Sequence, residues 1–233
     1  MFSIRKQVRA PLLLAALAFA ACDPGAAPTG PEAAVAPAPT RHPILFVHGW
    51  QGSASTWNTM VSRFKADGWT DAQLMAWSYN SSQSNATTAQ EISTRVDQLM
   101  AATGATRVDI VTHSMGGLSS RYYAKNLGGD ARIDAWVSLG GPNHGTTTAN
   151  ACVSVACTEM RIGSAFLAAL NSGDETPGAP RYATWWSGCD EIINPDDSVL
   201  LAGATNTQTA CISDNALTGD LAVYRSVRDF VSR

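Results

Sequence analysis

Hydrophobic and polar positions along the chain predict strands and helices in regular alternation. Ile44–Val47 and Val108–Val111 are short, largely apolar runs rich in β-branched residues, which suit strands buried in a parallel sheet. Elsewhere apolar residues recur at helical spacing, as in the segment 92–99 that is followed by Gly104. The full pattern predicts further strands at 74–77, 133–139, 181–187 and 203–210, and helices around 57–67 behind the candidate cap Ser55, 92–103, 115–127, 159–170 and 223–230.

Strands that alternate with helices of this length predict the α/β fold class, with a mostly parallel sheet covered by helices on both faces. The chain has 233 residues, of which 45% are hydrophobic, and this is enough for one domain with a full core. In such sheets the catalytic and ligand-binding residues lie at the carboxyl ends of the strands. Candidate functional residues are therefore expected just after the predicted strands.

The N-terminus is typical of an export signal. Arg5, Lys6 and Arg9 precede an apolar run over residues 10–21, and that run is shorter than the roughly 20 residues of a bilayer-spanning helix. Residues 1–22 are therefore interpreted as a signal peptide.

Two interpretations of the end of this signal stay open. The run ends in Phe19-Ala20-Ala21-Cys22, which resembles a bacterial lipoprotein processing box, although that box usually has Leu in place of Phe19. Cys22 would then be lipidated and anchor the protein to a membrane; the alternative is ordinary secretion after an Ala-x-Ala site. Residues 23–40 hold five prolines and six alanines, as in a solvent-exposed tether, so the folded domain is expected over 41–233.

The cysteine count favours an oxidising compartment. Setting Cys22 aside leaves an even four, as expected of two disulfides in an exported protein. Cys152 and Cys157 can close a short loop, and Cys189 and Cys211 can tie the ends of the last two strands. Zinc binding is the alternative, but no Cys-x-x-Cys or nearby His supports it.

Charge and motifs disfavour several function classes. The formal net charge is −3, and no basic stripe is present to hold a phosphate backbone, so nucleic acid is not expected as a partner. No Gly-x-Gly-x-x-Gly or Walker pattern follows a strand, which disfavours nucleotide binding. No cofactor or metal is expected, and the chain is expected to act as a monomer.

The segment after the predicted strand Val108–Val111 has the pattern of a nucleophile elbow. Thr112-His113-Ser114-Met115-Gly116 lies between a strand and a helix, and small residues stand two positions either side of Ser114. Thr112 replaces the first glycine of the usual Gly-x-Ser-x-Gly pattern. The helix N-terminus that follows favours negative charge at Ser114 and at a developing oxyanion.

A second loop is expected to complete the oxyanion site. The first strand ends in His48-Gly49-Trp50-Gln51-Gly52, which can present backbone N–H groups toward the elbow. The N–H groups of Trp50 and Met115 are the candidate oxyanion donors. His48 is interpreted as a structural residue that orients this loop.

Together these motifs resemble the small secreted lipases of the class 2 bacterial family. The resemblance implies an α/β-hydrolase fold with a minimal lid or none, hydrolysis of carboxylic esters such as lipids through an acyl-enzyme on Ser114, and Asp190 as the acid of the catalytic triad. It is carried by four segments, Phe46–Gly49, Val108–Gly117, Leu139–Gly145 and Ser187–Pro195.

The chain departs from the family at the third member of the triad. The fold orders its triad as Ser, Asp, His, but no histidine follows Asp190. In the family the histidine lies after the last strand, and counting from Asn206 without a gap places Asp214 there. An aspartate, with an ordinary pKa of about 3.9 against about 6.5 for histidine, is a weak base toward a serine hydroxyl.

Several interpretations of this departure stay open. The chain can be an ester hydrolase with reduced activity, or a catalytically impaired protein that uses the hydrolase cleft for binding. His144, after a neighbouring strand, can replace the missing base, whereas His113 is expected to point beside the nucleophile. Asp214 can itself act as the base. Trp50 and Trp185-Trp186 are candidate residues of an acyl groove.

Overall fold

The computed structural model describes Phe2 and residues 41–233. Apart from Phe2, the predicted signal peptide over 1–22, the lipidation site Cys22 and the linker over 23–40 lie outside the described residues. Among those that are described, no helix combines the length and apolar character needed to cross a membrane.

Six strands form one sheet in the order β2-β1-β3-β4-β5-β6, and each neighbouring pair is parallel. The α/β prediction is thus confirmed. The strands are β1 (Ile44–Val47), β2 (Leu74–Ala76), β3 (Val108–His113), β4 (Ile133–Leu139), β5 (Arg181–Trp186) and β6 (Thr205–Gln208). The α-helices are α1 (Asn58–Ala66), α2 (Asn85–Thr103), α3 (Gly116–Asn126), α4 (Val155–Met160), α5 (Ala165–Leu170) and α6 (Leu221–Val231).

Alternate side chains of the central strands bury two separate cores. In β1, Ile44 and Phe46 join the core formed with α1 and α6, whereas Leu45 and Val47 join the core formed with α2 and α3. Because successive side chains of a strand point to opposite faces, a strand that is apolar throughout must be covered on both. The helices therefore lie on both faces of the sheet, as predicted.

Two predicted helices begin or end differently from the expectation. Ser55 does not cap a helix: it lies inside a 3-10 turn, Ala54–Trp57, that precedes α1 and has Ser53 as its N-cap. The helix predicted at 159–170 is two short helices, α4 and α5. Gly163, with a φ of +76°, separates them, and Ser164 starts α5 by accepting a hydrogen bond from the N–H of Leu167.

Both predicted disulfides are confirmed. Cys152 pairs with Cys157 just before and within α4, and Cys189 pairs with Cys211. The second bridge joins the loop after β5 to the loop after β6. These are the two loops that carry Asp190 and Asp214, so the bridge constrains the part of the molecule in which the site is built.

Candidate active site

Ser114 occupies a strained turn between β3 and α3. Its φ is +52°, in the left-handed region that residues with a Cβ rarely adopt. Gly116 makes this turn possible, because a Cβ there would lie 2.6 Å from the carbonyl oxygen of Val47 and 2.7 Å from that of His48. This strained strand-to-helix turn is the backbone geometry that a nucleophile elbow requires.

Thr112 also has a physical reason to stand where the usual motif has glycine. The residue is fully buried, and its hydroxyl donates a 2.9 Å hydrogen bond to the carbonyl of Val137 in β4. A satisfied hydroxyl adds a link between the two central strands, so the position tolerates a side chain.

The loop after β1 packs directly on Ser114. A Cβ at Gly49 would lie 2.7 Å from the Cβ of Ser114 and 3.2 Å from its Oγ, so the loop approaches as closely as glycine allows. Within the described residues, neither the N–H of Trp50 nor that of Met115 donates a hydrogen bond to another protein group. Both N–H groups stay available beside Ser114, as an oxyanion site requires.

His48 holds this loop through several contacts with Tyr79. The two rings stack with centroids 4.0 Å apart, and the Tyr79 hydroxyl donates to the backbone carbonyl of His48. Nδ1 of His48 donates to the carbonyl of Gly49 at 2.8 Å, and Nε2 accepts from the N–H of Tyr79 at 3.4 Å. Burial lowers the pKa of His48, which favours the neutral ring that this arrangement uses.

The carboxyl group of Asp190 is buried, and only one of its two oxygens is hydrogen-bonded. Its Oδ1 accepts 2.8 Å hydrogen bonds from the N–H groups of Ile192 and Ile193, whereas its Oδ2 is buried without a partner. Burial raises the pKa of Asp190 to about 6, the two N–H groups oppose that shift, and the charge of Asp214 adds to it.

Asp214 opens the 3-10 turn Asp214–Thr218 and is also buried. A Cβ at Gly140, at the end of β4, would lie 2.9 Å from Oδ1 of Asp214 and 3.3 Å from Oδ2 of Asp190. The two carboxyl groups therefore border the same small volume. The backbone N–H of Asp214 points to Glu191, whose Oε2 accepts it at 3.4 Å.

His113 makes a contact that the sequence pattern did not indicate. Its Nε2 lies 3.1 Å from the backbone carbonyl of Asp214 and 3.2 Å from Oδ1 of the same residue. Because a carbonyl only accepts, Nε2 carries a proton. Burial lowers the pKa of His113, but the contacts with Asp214 and the charge of Asp190 outweigh it, so the pKa is raised.

Among the histidines, His144 points elsewhere. Its Nε2 pairs with Oε1 of Glu175 at 2.8 Å, its Nδ1 lies 3.3 Å from the carbonyl of Ser198, and the residue does not line the cavity at Ser114. The arrangement gives no support to His144 as a replacement base.

A cavity of about 560 Å³ opens at Ser114. Trp50 borders it, as expected, but Trp185 and Trp186 do not; Trp185 packs edge-on against Phe230 and donates to Ser226 at 3.0 Å. The prediction that these two tryptophans line the groove is wrong. The cavity is lined by Ser114, His113, Asp214 and Asn215 on one side, by residues 49–53 with Ser55 and Thr56 on another, and by Thr146, Thr148, Ala149, Cys152, Met160, Ile192 and Ile193.

The known proteins that this chain resembles in sequence are lipases. The family model described as Lipase (class 2) matches residues 41–217. A triacylglycerol lipase from Pseudarthrobacter phenanthrenivorans and one from Burkholderia plantarii are each 32% identical over 93 residues, which is 37% of this chain. Those matches span only 29% and 26% of the two relatives.

Solved structures of low sequence identity share the fold. The mature form of a Bacillus licheniformis lipase aligns with a TM-score of 0.72 at 18% identity and covers 84% of this chain and 93% of that one. Lipase B of Aspergillus fumigatus aligns with a TM-score of 0.70 at 16% identity, over 83% of this chain and 53% of that one. These likenesses confirm the expectation of an α/β-hydrolase fold.

Proposed function

Since the chain belongs to the class 2 lipase family, we propose that it is a serine carboxylic-ester hydrolase that acts through an acyl-enzyme on Ser114. The observation that carries this proposal is the strained backbone of Ser114, with its φ of +52°, next to two unused N–H groups. Strain of this kind persists only where the surroundings enforce it, and it clusters at active sites.

The proposed chemistry follows from the arrangement around the nucleophile. Oγ of Ser114 attacks the ester carbonyl, and the oxyanion that forms is bound by the N–H groups of Trp50 and Met115. Departure of the alcohol leaves the acyl group on Ser114, and water then releases the acid. The rest of the triad consists of Asp190 as the acid and Asp214 in the place of the histidine.

The rate is expected to be reduced, because a carboxylate removes the serine proton poorly at neutral pH. Loss of the base in a serine triad costs on the order of 10⁶-fold in turnover, while the oxyanion site and binding alone retain about 10³ to 10⁴-fold over water. Activity that relies on Ser114, at a rate well below that of a histidine triad, is therefore the expected behaviour.

An active-site probe tests the proposal. A fluorophosphonate should label Ser114 of the full chain, and the Ser114→Ala variant should not be labelled. Asp214→His should raise the labelling rate and p-nitrophenyl ester hydrolysis at pH 8 by about 10²-fold or more. Asp197→His, the same change at an exposed position away from the cavity, is the control. Equal rates for the natural chain and Asp214→His would refute the reduced-activity proposal.

A second candidate function is a binding protein that keeps the hydrolase cleft without efficient turnover. The presence of aspartate at the triad position is the observation that favours it. Absence of labelling at Ser114 in the folded natural chain, together with ligand binding in the cleft, would support this function over the first.

The cavity lining supports a class of substrate, and the disulfides support a location outside the cytoplasm. A cavity with a mixed polar and apolar lining suits lipids or small esters. The two disulfides support export to the periplasm, the cell surface or the medium. Lipidation at Cys22 and action as a monomer stay predictions; mass spectrometry of the mature N-terminus and light scattering would test them.

A further inference from the structure

Gln51, in the loop after β1, has the same unusual backbone conformation as Ser114. Its φ is +56°, and among the described residues other than glycine only Gln51 and Ser114 have a positive φ. A residue with a Cβ enters the left-handed region at a cost in free energy, so the surrounding structure must hold it there. Gln51 directly follows Trp50, whose N–H is proposed as an oxyanion donor, and both residues line the cavity at Ser114.

Gln51 is the third residue of a tight turn, 49–52, that carries this donor. The N–H of Gly52 donates a 3.1 Å hydrogen bond to the carbonyl of Gly49, which closes the turn around Trp50 and Gln51. A positive φ at the third position is the geometry of a type II turn, where glycine or asparagine is ordinarily needed. A glutamine favours a negative φ, which the turn reaches when the peptide group between Trp50 and Gln51 rotates. The observed turn therefore needs a contact from outside.

Ser81, in the loop 77–84 between β2 and α2, supplies that contact. Its Oγ accepts a 2.9 Å hydrogen bond from the N–H of Gln51. If the peptide group rotated to relieve the strain, this N–H would turn away from Ser81 and the hydrogen bond would be lost. The hydrogen bond therefore favours the strained form of the turn over the relaxed one.

The loop that carries Ser81 is itself attached to residues on either side of the turn. Before the turn, Tyr79 stacks on His48 and donates to its carbonyl. After the turn, Oγ of Ser78 accepts the N–H of Ala54 at 3.0 Å. The hydroxyl of Ser81 is thus held at a fixed place relative to the turn. Ser78 offers a matched comparison, because it makes an equivalent hydrogen bond to the same loop at a residue that does not line the cavity.

On the basis of the proposed ester hydrolysis, we propose that Ser81 is a positioning residue of the oxyanion site. Its hydroxyl keeps the turn 49–52 in the strained conformation, and the turn keeps the N–H of Trp50 available beside Ser114. The donor is then in place before the ester binds, so it need not be rearranged as the oxyanion forms. Ser81 does not line the cavity, so it acts through the turn and not by contact with the ester.

The first test compares Ser81→Ala with Ser78→Ala in the full chain, using p-nitrophenyl acetate with the Ser114→Ala rate subtracted. A misplaced donor weakens binding of the oxyanion more than binding of the ester, so Ser81→Ala should lower kcat about tenfold and change KM less than about twofold. Ser81→Thr keeps a hydroxyl that can accept the same hydrogen bond and should retain at least about half of the natural kcat. Ser78→Ala should stay within about twofold of the natural chain. No loss in Ser81→Ala, or an equal loss in Ser78→Ala, would overturn the assignment.

The second test asks whether the loss arises at the oxyanion. In p-nitrophenyl thionoacetate, sulfur replaces the carbonyl oxygen and is a weak hydrogen-bond acceptor, so hydrolysis depends less on the N–H donors. The ratio of kcat/KM for the ester to kcat/KM for the thionoester should fall about fivefold in Ser81→Ala and stay unchanged in Ser78→Ala. An equal loss on both substrates in Ser81→Ala would show a merely structural role and overturn the proposal.

The third test concerns the strain at Gln51. Glycine adopts a positive φ without a steric penalty, so the turn in Gln51→Gly no longer needs Ser81 to hold it. Ser81→Ala should therefore lower kcat only about twofold in the Gln51→Gly background, against about tenfold in the natural chain. Comparing the losses within each background removes any direct effect of the Gln51 side chain on the ester. A tenfold loss in both backgrounds would contradict the role of Ser81 in holding the strained turn.

Amide hydrogen exchange, measured by NMR, gives a readout that does not depend on turnover. Loss of its acceptor should speed exchange of the Gln51 N–H about tenfold or more in Ser81→Ala and leave it unchanged in Ser78→Ala. An unchanged rate in Ser81→Ala would overturn the role of Ser81 alone. If exchange responds as expected but the natural chain neither reacts with a fluorophosphonate nor hydrolyses esters, the proposed hydrolysis is overturned, and the catalytic role of Ser81 with it.

Discussion

The carboxylate of Glu159 accepts two hydrogen bonds from Asn85, one from the backbone N–H of Asn85 at 2.7 Å and one from its side-chain Nδ2 at 2.8 Å. The carboxylate thus caps the N-terminus of α2, and it also accepts from Ser84 at 2.7 Å. Asn85 continues the connection, because its Oδ1 accepts a 2.6 Å hydrogen bond from Ser119 in α3. These contacts join α4, whose Met160 lines the cavity, to α3, the helix that follows Ser114.

Removal of this carboxylate should destabilise the fold. Glu159→Ala leaves the first N–H of α2 and the amide of Asn85 without their acceptor, and we expect a loss of about 2 kcal/mol in the free energy of unfolding. Urea unfolding measures it. Glu91→Ala, which removes a carboxylate bonded only to the side chain of Gln83, is the control and should cost less. Equal losses would contradict the capping role.

A buried aspartate in the central strand predicts a dependence of stability on pH. Asp109 is fully buried; its Oδ1 accepts from the N–H of Ala135 at 3.0 Å, and its Oδ2 has no partner. Burial, and then the charge of Asp134, raise the pKa of Asp109 well above its usual value. A raised folded-state pKa gives stability that is complete below the unfolded value of about 3.9 and is lost as pH rises toward the folded value.

Asp109→Asn should remove that dependence. The amide keeps an acceptor for Ala135 and cannot ionise, so the variant should gain on the order of 1 kcal/mol over the natural chain at pH 8. Below pH 4 the gain should disappear. Chemical unfolding at both pH values gives the comparison, and a variant that is less stable by the same amount at both would contradict the assignment.

The two disulfides should contribute unequally. Cys189 and Cys211 are separated by 22 positions and Cys152 and Cys157 by 5, so the first bridge closes the longer loop. The chain-entropy relation gives a loss of about 3 kcal/mol for Cys189→Ser with Cys211→Ser, and about 2 kcal/mol for the other pair. Urea midpoints measure both. The first pair should also lower the labelling rate of Ser114, because this bridge joins the loops of Asp190 and Asp214.

Gly116 should be intolerant of even one methyl group. In Gly116→Ala the new Cβ meets two backbone carbonyls at 2.6 and 2.7 Å, and neither can move without displacing the loop after β1. We expect a loss of more than about 2 kcal/mol in the free energy of unfolding, about twice the cost of backbone strain alone, and a loss of labelling. Gly104→Ala is the matched control: its φ of +69° imposes strain, but nothing lies within 4 Å of its Cβ. A smaller loss for Gly116→Ala than for Gly104→Ala would refute the close approach.

The sequence alone determined the elements and most of the candidate site. The apolar strand pattern, the elbow around Ser114 and the even cysteine count each depend on local chemistry, and the sheet, the turn and both disulfides agree with them. The helix predicted over 159–170 is divided because the left-handed backbone at Gly163 outweighs helical periodicity. Trp185 was misplaced because the direction of its side chain depends on which face of the sheet it occupies.

Only the tertiary structure decided how the charged groups of the site face one another. His113 and Asp214 lie 101 positions apart, and no local pattern shows that Nε2 of one meets the carbonyl of the other. The proximity of Asp190 to Asp214 likewise follows from two loops that meet beside Gly140. Local sequence encodes conformation over a few residues, whereas the energy of a buried charge depends on every group that folding brings near it.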